Sequence, residues 1–156
     1  MEGFTTDTFD YACGDSGPAL ADAWHGRSLL FVHPQEDISG YFIVIDQVSA
    51  DSGSTVQTYL HPATTSEITA VFPLMEYRAD IEIISSQAGS EIATDVHLTI
   101  FYATAPGSVS ISDSLSHSSG ATHKRLQADY FVDENGEANI LTIIFPHDPA
   151  HAKAAM

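Results

Sequence analysis

The chain is 156 residues long, with 21 acidic side chains against 5 basic ones, a formal net charge of −16, 44% hydrophobic residues and a mean hydropathy near zero. That length and apolar content suffice for one domain with a real core, and they exclude a disordered chain in spite of the charge. The basic residues are Arg27, Arg78, Lys124, Arg125 and Lys153, of which only Lys124 and Arg125 are adjacent, so nucleic acid and anionic membrane surfaces are excluded as partners.

The longest uninterrupted apolar run, Tyr41–Ile45, is far too short to span a bilayer. Cys13 is the only cysteine, so there is no internal disulfide. The first residues, Met1–Asp7, lack the basic and apolar regions of a signal peptide. The expectation is an intracellular protein, or part of a longer chain whose targeting signal lies upstream.

In chain order, Phe9–Ala12 reads as a short edge strand, Gly14–Gly17 as a turn, and Pro18–His25 as a stretch holding a helical turn. Three strand-like runs follow closely: Arg27–His33, Tyr41–Val48 and Thr55–His61. The middle run is apolar on both alternating sets, Tyr41/Ile43/Ile45 and Phe42/Val44, which predicts a central strand covered on both faces with antiparallel neighbours either side. Pro62–Glu67 reads as a loop, Ile68–Phe72 as a strand ended by Pro73, Ala79–Ser85 as a half-buried strand, and Val96–Ala103 as a further strand. Pro106–His123 is rich in Ser and Gly, with a short alternating strand at Val109–Ser112 inside a mobile loop. Arg125–Val132 and Asn139–Phe145 flank Asn135-Gly136, a strong hairpin signal.

Eight to ten short strands, turn signals between them and no long helix predict an all-β fold, an antiparallel β-sandwich. It spans residues 1–156 as a single domain, with 1–8 and 147–156 as flexible tails.

Four stretches in order carry a further signal: Phe9-Asp10-Tyr11-Ala12-Cys13-Gly14-Asp15, an Arg opening the strand Arg27–Val32, the strand Tyr41–Val48, and Thr58-Tyr59-Leu60-His61. A late strand running into proline, Leu141–Pro146, completes the set. Over Phe9 to Pro146 the order resembles the C-terminal β-sandwich region of heparinase II/III-like polysaccharide lyases. That resemblance implies a partner α/α toroid that holds the catalytic chemistry, a uronic polysaccharide as substrate of the parent enzyme, β-elimination as its reaction, and a secreted or periplasmic setting. It also implies that the family's metal-binding His, Asp and His lie upstream of the Phe9–Asp15 stretch. No catalytic residue and no metal ligand is therefore carried over, and no cofactor is expected for this chain.

The residues themselves offer one candidate substrate-binding set. If the first and third runs flank the central strand, then Arg27, His33, Tyr59 and His61 share one rim as a basic and aromatic patch for sugar. The alternative is that Arg27 pairs with a carboxylate and the histidines are polar strand ends. Asp46 sits inside an apolar strand, and burial of a lone carboxylate is costly. It is either a site residue or a group satisfied by backbone amides or by Arg27. His147 and His151 are separated by Pro149, which breaks the helix that a metal pair at that spacing needs. No G-x-S-x-G pattern marks a hydrolase.

The leading expectation is thus a non-catalytic sandwich domain that supports the toroid and lines the polysaccharide cleft. A carbohydrate-binding module using Trp24, Tyr41, Tyr59, Tyr77 or Tyr102 is the second reading. An assembly domain, forming homo-oligomers through unpaired strand edges, is the third.

Overall fold

A computed structural model describes residues 2–36, 38–61, 68–70, 78–84, 95–115 and 122–147. The strands are β1 (Glu2–Thr5), β2 (Phe9–Asp15), β3 (Trp24–Val32), β4 (Tyr41–Ser49), β5 (Thr55–Leu60), β6 (Ile68–Ala70), β7 (Arg78–Ile84), β8 (Asp95–Tyr102), β9 (Ser108–Leu115), β10 (Thr122–Phe131) and β11 (Glu137–His147). One turn of 3-10 helix, Gly17–Ala19, fills the connection before β3. No helix among the described residues is long and apolar enough to cross a membrane.

The strands form two antiparallel sheets, an eight-stranded one in the order β1-β2-β3-β4-β11-β8-β7-β6 and a three-stranded one in the order β5-β10-β9. The all-β sandwich expected from the strand pattern is the fold observed. Several boundary expectations change: β2 runs on through Gly14 and Asp15, β9 and β10 take up both ends of the segment read as a mobile loop, and β11 reaches His147. Glu2–Thr5, read as tail, is a paired strand, with Phe4 opposite Tyr11. Phe9–Ala12, read as an edge, therefore lies one strand in from it. Residues 148–156, Pro62–Glu67 and Pro73 lie outside the described residues.

The pairing differs from expectation in one informative way. β3 does flank β4, with Arg27 opposite Asp46, but the other neighbour of β4 is β11, with Ile140 opposite Asp46. β5 crosses to the small sheet instead. The same happens at Asn135-Gly136, where β10 and β11 are joined by a tight turn yet lie in different sheets. Only Gly136 there takes a positive φ, +81°, so the two-residue hairpin turn that needs both residues left-handed does not form. Asp133 holds the turn, its Oδ1 accepting from the amides of Asn135 (2.8 Å) and Glu137 (2.9 Å). The two crossovers run side by side and are stitched together: Ala50 N–H donates to Gly136 O, Gly53 N–H to Val132 O, and Val132 N–H to Ser54 O.

The core lies where the small sheet covers the middle of the large one. Ile100 and Tyr102 of β8 and Ile140 of β11 meet Leu126, Ala128 and Tyr130 of β10, with Val56, Leu60, Leu98 and Val109 around them. Alternation fixes this face: on β11, Ala138, Ile140 and Thr142 are buried while Leu141 and Ile143 are only half-buried. Because the large sheet is wider, its inward face at β2 and β3 extends past the small sheet, and Leu29 there is 40% exposed. The opposite, outward face of the large sheet is the one on which Tyr41, Ile43 and Ile45 of β4 lie, since they alternate with the inward Asp46. Ile45 on that face is 41% exposed while Tyr41 and Ile43 are half-buried, so the strand expected to be covered on both faces is only partly covered on this one.

Candidate functional site

The four residues singled out from the sequence divide between two sheets. Arg27 and His33 lie on β3 and just after it, on the face that looks toward the small sheet. Tyr59 lies on the solvent face of β5, with the His61 ring 6.2 Å from its own. The shared rim does not form, because β5 leaves the sheet that β3 and β4 share.

Around Arg27 the structure builds an ion cluster at the edge of the core. Cross-strand register sets Arg27 beside Asp46, and His25 is two residues before Arg27 on the same face. Asp46 is 3% exposed. Its Oδ1 accepts from Arg27 Nε at 2.6 Å and pairs with His25 Nε2 at 2.7 Å, while Oδ2 accepts from Arg27 Nη2 at 3.1 Å. This is a bidentate guanidinium–carboxylate fork with an imidazole added, the geometry that compensates a buried carboxylate best. Arg27 keeps about half of its side chain in water. Tyr130, across the core, carries a hydroxyl whose burial pushes its pKa up to about 12, and the Asp46 charge adds to the rise. The Tyr130 oxygen makes no hydrogen bond of ordinary geometry, although the Thr142 and Thr58 hydroxyls act on it from nearby. The cluster locks β3 against β4, as the structural alternative for Asp46 anticipated.

His33 belongs to a second, separate pair. Its Nε2 lies 3.1 Å from Asp10 Oδ2, and its Nδ1 lies 3.2 Å from the Asp7 carbonyl. With an acceptor at each ring nitrogen the protonated form is favoured, so the His33 pKa is raised, chiefly through Asp10. The Asp10 carboxyl is lowered in return, chiefly by His33.

The solvent face of the small sheet holds a third group, which the sequence reading touched only through Tyr59 and His61. β5 alternates cleanly, Thr55, Gln57 and Tyr59 outward and Val56, Thr58 and Leu60 inward. Register places Gln57 opposite Asp129 and Tyr59 opposite Gln127 on β10, and Ser108 opposite Asp129 on β9. Asp129 is the hub: Oδ1 accepts from Gln57 (3.1 Å) and Gln127 (2.8 Å), and Oδ2 from Ser108 (2.6 Å). These bonds, Ser108 foremost, hold its carboxyl below the usual range. The Tyr59 hydroxyl donates to Gln57 Oε1 at 2.7 Å, and the Arg125 guanidinium sits 5.1 Å from the centre of the Tyr59 ring. Phe131 closes the row, 66% exposed. A cleft of about 420 Å³ at the end of the two sheets is lined by Thr104, Gly107, Tyr130, Phe131, Asp133 and Ile140, among others.

Of the aromatic residues expected to be available for sugar, Tyr102 is buried in the core, Tyr41 is half-buried and Tyr77 lies outside the described residues. Trp24 and Tyr59 are exposed, and Phe131 was missed. The signal that could have found it is the outward alternation Arg125, Gln127, Asp129, Phe131, which becomes legible once β10 is known to face water on one side. No group of three or more His, Cys, Asp or Glu among the described residues is arranged to hold a metal ion.

No protein-family model matches the sequence, and no curated protein matches it. Solved structures do. Heparan sulfate lyase HepC from Pedobacter heparinus superposes with a TM-score of 0.67 at 18% identity, over 94% of this chain and 21% of that one. A heparinase III gene product superposes with a TM-score of 0.64 at 13% identity, again over 94% of this chain and 21% of that one. This chain thus spans about a fifth of the length of those lyases. In fold, it resembles a domain of heparan sulfate lyases.

Proposed function

We propose that this chain is a non-catalytic β-sandwich domain of a heparinase II/III-like polysaccharide lyase, holding a helical toroid in place and walling one side of the cleft for a uronic polysaccharide. The observation that carries the reading is the superposition itself, which takes up nearly all of this chain and a fifth of each lyase. The outward face of the large sheet supports it. Leu30, Val32, Tyr41, Ile43, Ile143 and Phe145 line that face without a charged neighbour on β3 or β4 and with only Glu137 at the far end of β11, in a chain of net charge −16. An apolar band of that breadth is ordinarily covered, and the rest of a lyase-like protein is the cover this reading assigns to it. A secreted or periplasmic location follows from the same reading.

β-Elimination at a uronic acid needs a base, a group that neutralises the carboxylate and an acid for the leaving oxygen. His25 is committed to Asp46 and His33 to Asp10, in separate clusters. On this reading the isolated chain is expected to yield no unsaturated product from heparan sulfate, heparin or alginate, followed by ultraviolet absorbance. Sustained turnover by the chain alone would overturn the reading. A second reading, carbohydrate binding in its own right, is favoured by one observation: the aromatic and amide row on the solvent face of the small sheet.

A further inference from the structure

We propose that the solvent face of the small sheet, from Tyr59 across Asp129 to Phe131 and its adjoining cleft, binds a neutral, hydroxyl-rich glycan chain. The inference rests on the carbohydrate-binding reading and not on the lyase-domain reading. It starts from two aromatic rings that a soluble sheet has no packing reason to display. Tyr59 is 39% exposed and Phe131 66%. By register Phe131 lies four residues along β10 from the position opposite Tyr59, a separation of about 13 Å along the strand. Rings so spaced can each take the apolar face of a sugar within one short oligosaccharide.

Both rings are held in place before any ligand arrives. Tyr59 is fixed at its hydroxyl by Gln57 and at its face by Arg125. Phe131 lies against Gly107, where a Cβ would come within 2.7 Å of the ring edge. Only glycine allows that approach, which sets the ring over the backbone while leaving most of it in water. Preorganised aromatic side chains lose little entropy on binding.

The ground between the rings is polar in the way sugar hydroxyls require. Gln57, Asp129 and Gln127 form a connected network of amide and carboxylate groups, and β9 adds Ser108, Ser110 and Ser112 along the border. Their spare acceptors and donors can bond to sugar hydroxyls directly or through water. The cleft beside Phe131 adds Thr104 and Asp133.

Charge selects among glycans. The track carries Asp129 and Asp133 against Arg125 among the described residues, on a chain of net charge −16. Carboxylates accept well from neutral hydroxyls and repel uronate or sulfate. A neutral chain is therefore the ligand, and the site is distinct in chemistry from a cleft for acidic polysaccharide.

The test is titration calorimetry of the 156-residue chain with cellohexaose, mannohexaose and xylohexaose, and with hexasaccharides of alginate and heparin. At least one neutral hexaose should bind, with both acidic ones weaker. Phe131→Ala and Tyr59→Ala should each lower the association constant about tenfold, and Leu29→Ala, on the other sheet, should leave it unchanged. Amide chemical-shift mapping on the unmodified chain keeps the test independent of variant folding, and perturbations should cluster on β5 and β10. Absence of binding by all three neutral hexaoses overturns the proposal. So does tighter binding of an acidic hexasaccharide, or perturbation centred on the outward face of the large sheet. None of these outcomes bears on whether the chain catalyses elimination, so this proposal and the lyase-domain reading fail separately.

Discussion

Asp46 and Arg27 are unequal partners, and the inequality is measurable. Asp46 is 3% exposed and cannot reach water, whereas Arg27 already does. Removing Asp46 leaves a guanidinium and an imidazole that rehydrate. Removing Arg27 strands a buried carboxylate on His25 alone. Arg27→Ala is therefore expected to cost about 3 kcal/mol in urea unfolding, more than a half-exposed arginine ordinarily would. The double variant Arg27→Ala/Asp46→Ala should cost clearly less than the sum of the singles; additive losses would refute the coupling. The His33–Asp10 pair gives a pH signature instead. His33 is raised above its ordinary 6.5, so its contribution is complete below that value and is lost as pH rises through the higher folded value. Asp10 is lowered below 3.8, so its contribution is complete above that value and is lost as pH falls through the lower folded one. The thermal midpoint of the native chain should exceed that of His33→Ala most between about pH 4 and 6.5, by a small margin since water screens the pair. A difference growing toward pH 9 would contradict this. At this scale the sequence was readable where chemistry is local: a carboxylate inside an apolar strand demands a partner, and Arg27 was an available one. Phe131 was unreadable because a single aromatic residue does not announce which side of its strand faces water.

Strands are the level at which local pattern succeeds and connectivity defeats it. Every strand from β2 to β11 overlaps an alternating or apolar run, because side-chain period and β-branched content are written residue by residue, while the strand ends run past it into stretches read as turn or loop. What those runs cannot state is which sheet a strand joins. Asn135-Gly136 reads as a hairpin turn, and the short connection Asp51–Ser54 as a link between neighbouring strands, yet both are crossovers between sheets. The turn chemistry is satisfied in either case; the choice is made by where Val56, Leu60, Leu126 and Tyr130 find apolar cover, which is a tertiary matter. Gly136 is the element-level test. It combines a φ of +81° with an approach in which a Cβ would stand 2.9 Å from the Ala50 carbonyl oxygen. Gly136→Ala is expected to destabilise by about 1–3 kcal/mol, read as a lower urea midpoint at unchanged slope. A neutral result would mean the two crossovers are not held in register by that turn.

For the molecule as a whole, the imbalance between sheets is the governing fact. Eight strands present two faces, and three strands cover only part of one. The inward face gains a core with Ile100 fully buried and Ile140 and Leu126 at 1% exposure, while the outward face leaves Ile45 at 41%. Taken alone, the chain should associate through that outward face as its concentration rises, with light scattering reporting the growing mass. Ile45→Lys/Ile143→Lys, which sets two charges in the band, should return it to monomer without loss of the far-ultraviolet spectrum. Persistence of association in that variant would shift attention to the strand edges.

The paired crossovers also govern how the polypeptide reaches its native form. Ile43 meets Ile143, a hundred positions later in the sequence, and Val56 meets Tyr130 across almost the whole middle of the chain. Neither ladder gains anything until the corner has brought these remote segments side by side, so loop-closure entropy is spent before contacts return it. Refolding should be slow for a chain of this size, on a scale of seconds rather than milliseconds. Its rate is expected to respond to substitutions at Ala50, Val132 and Gly136, which join the two crossovers, and stopped-flow refolding of these variants checks it.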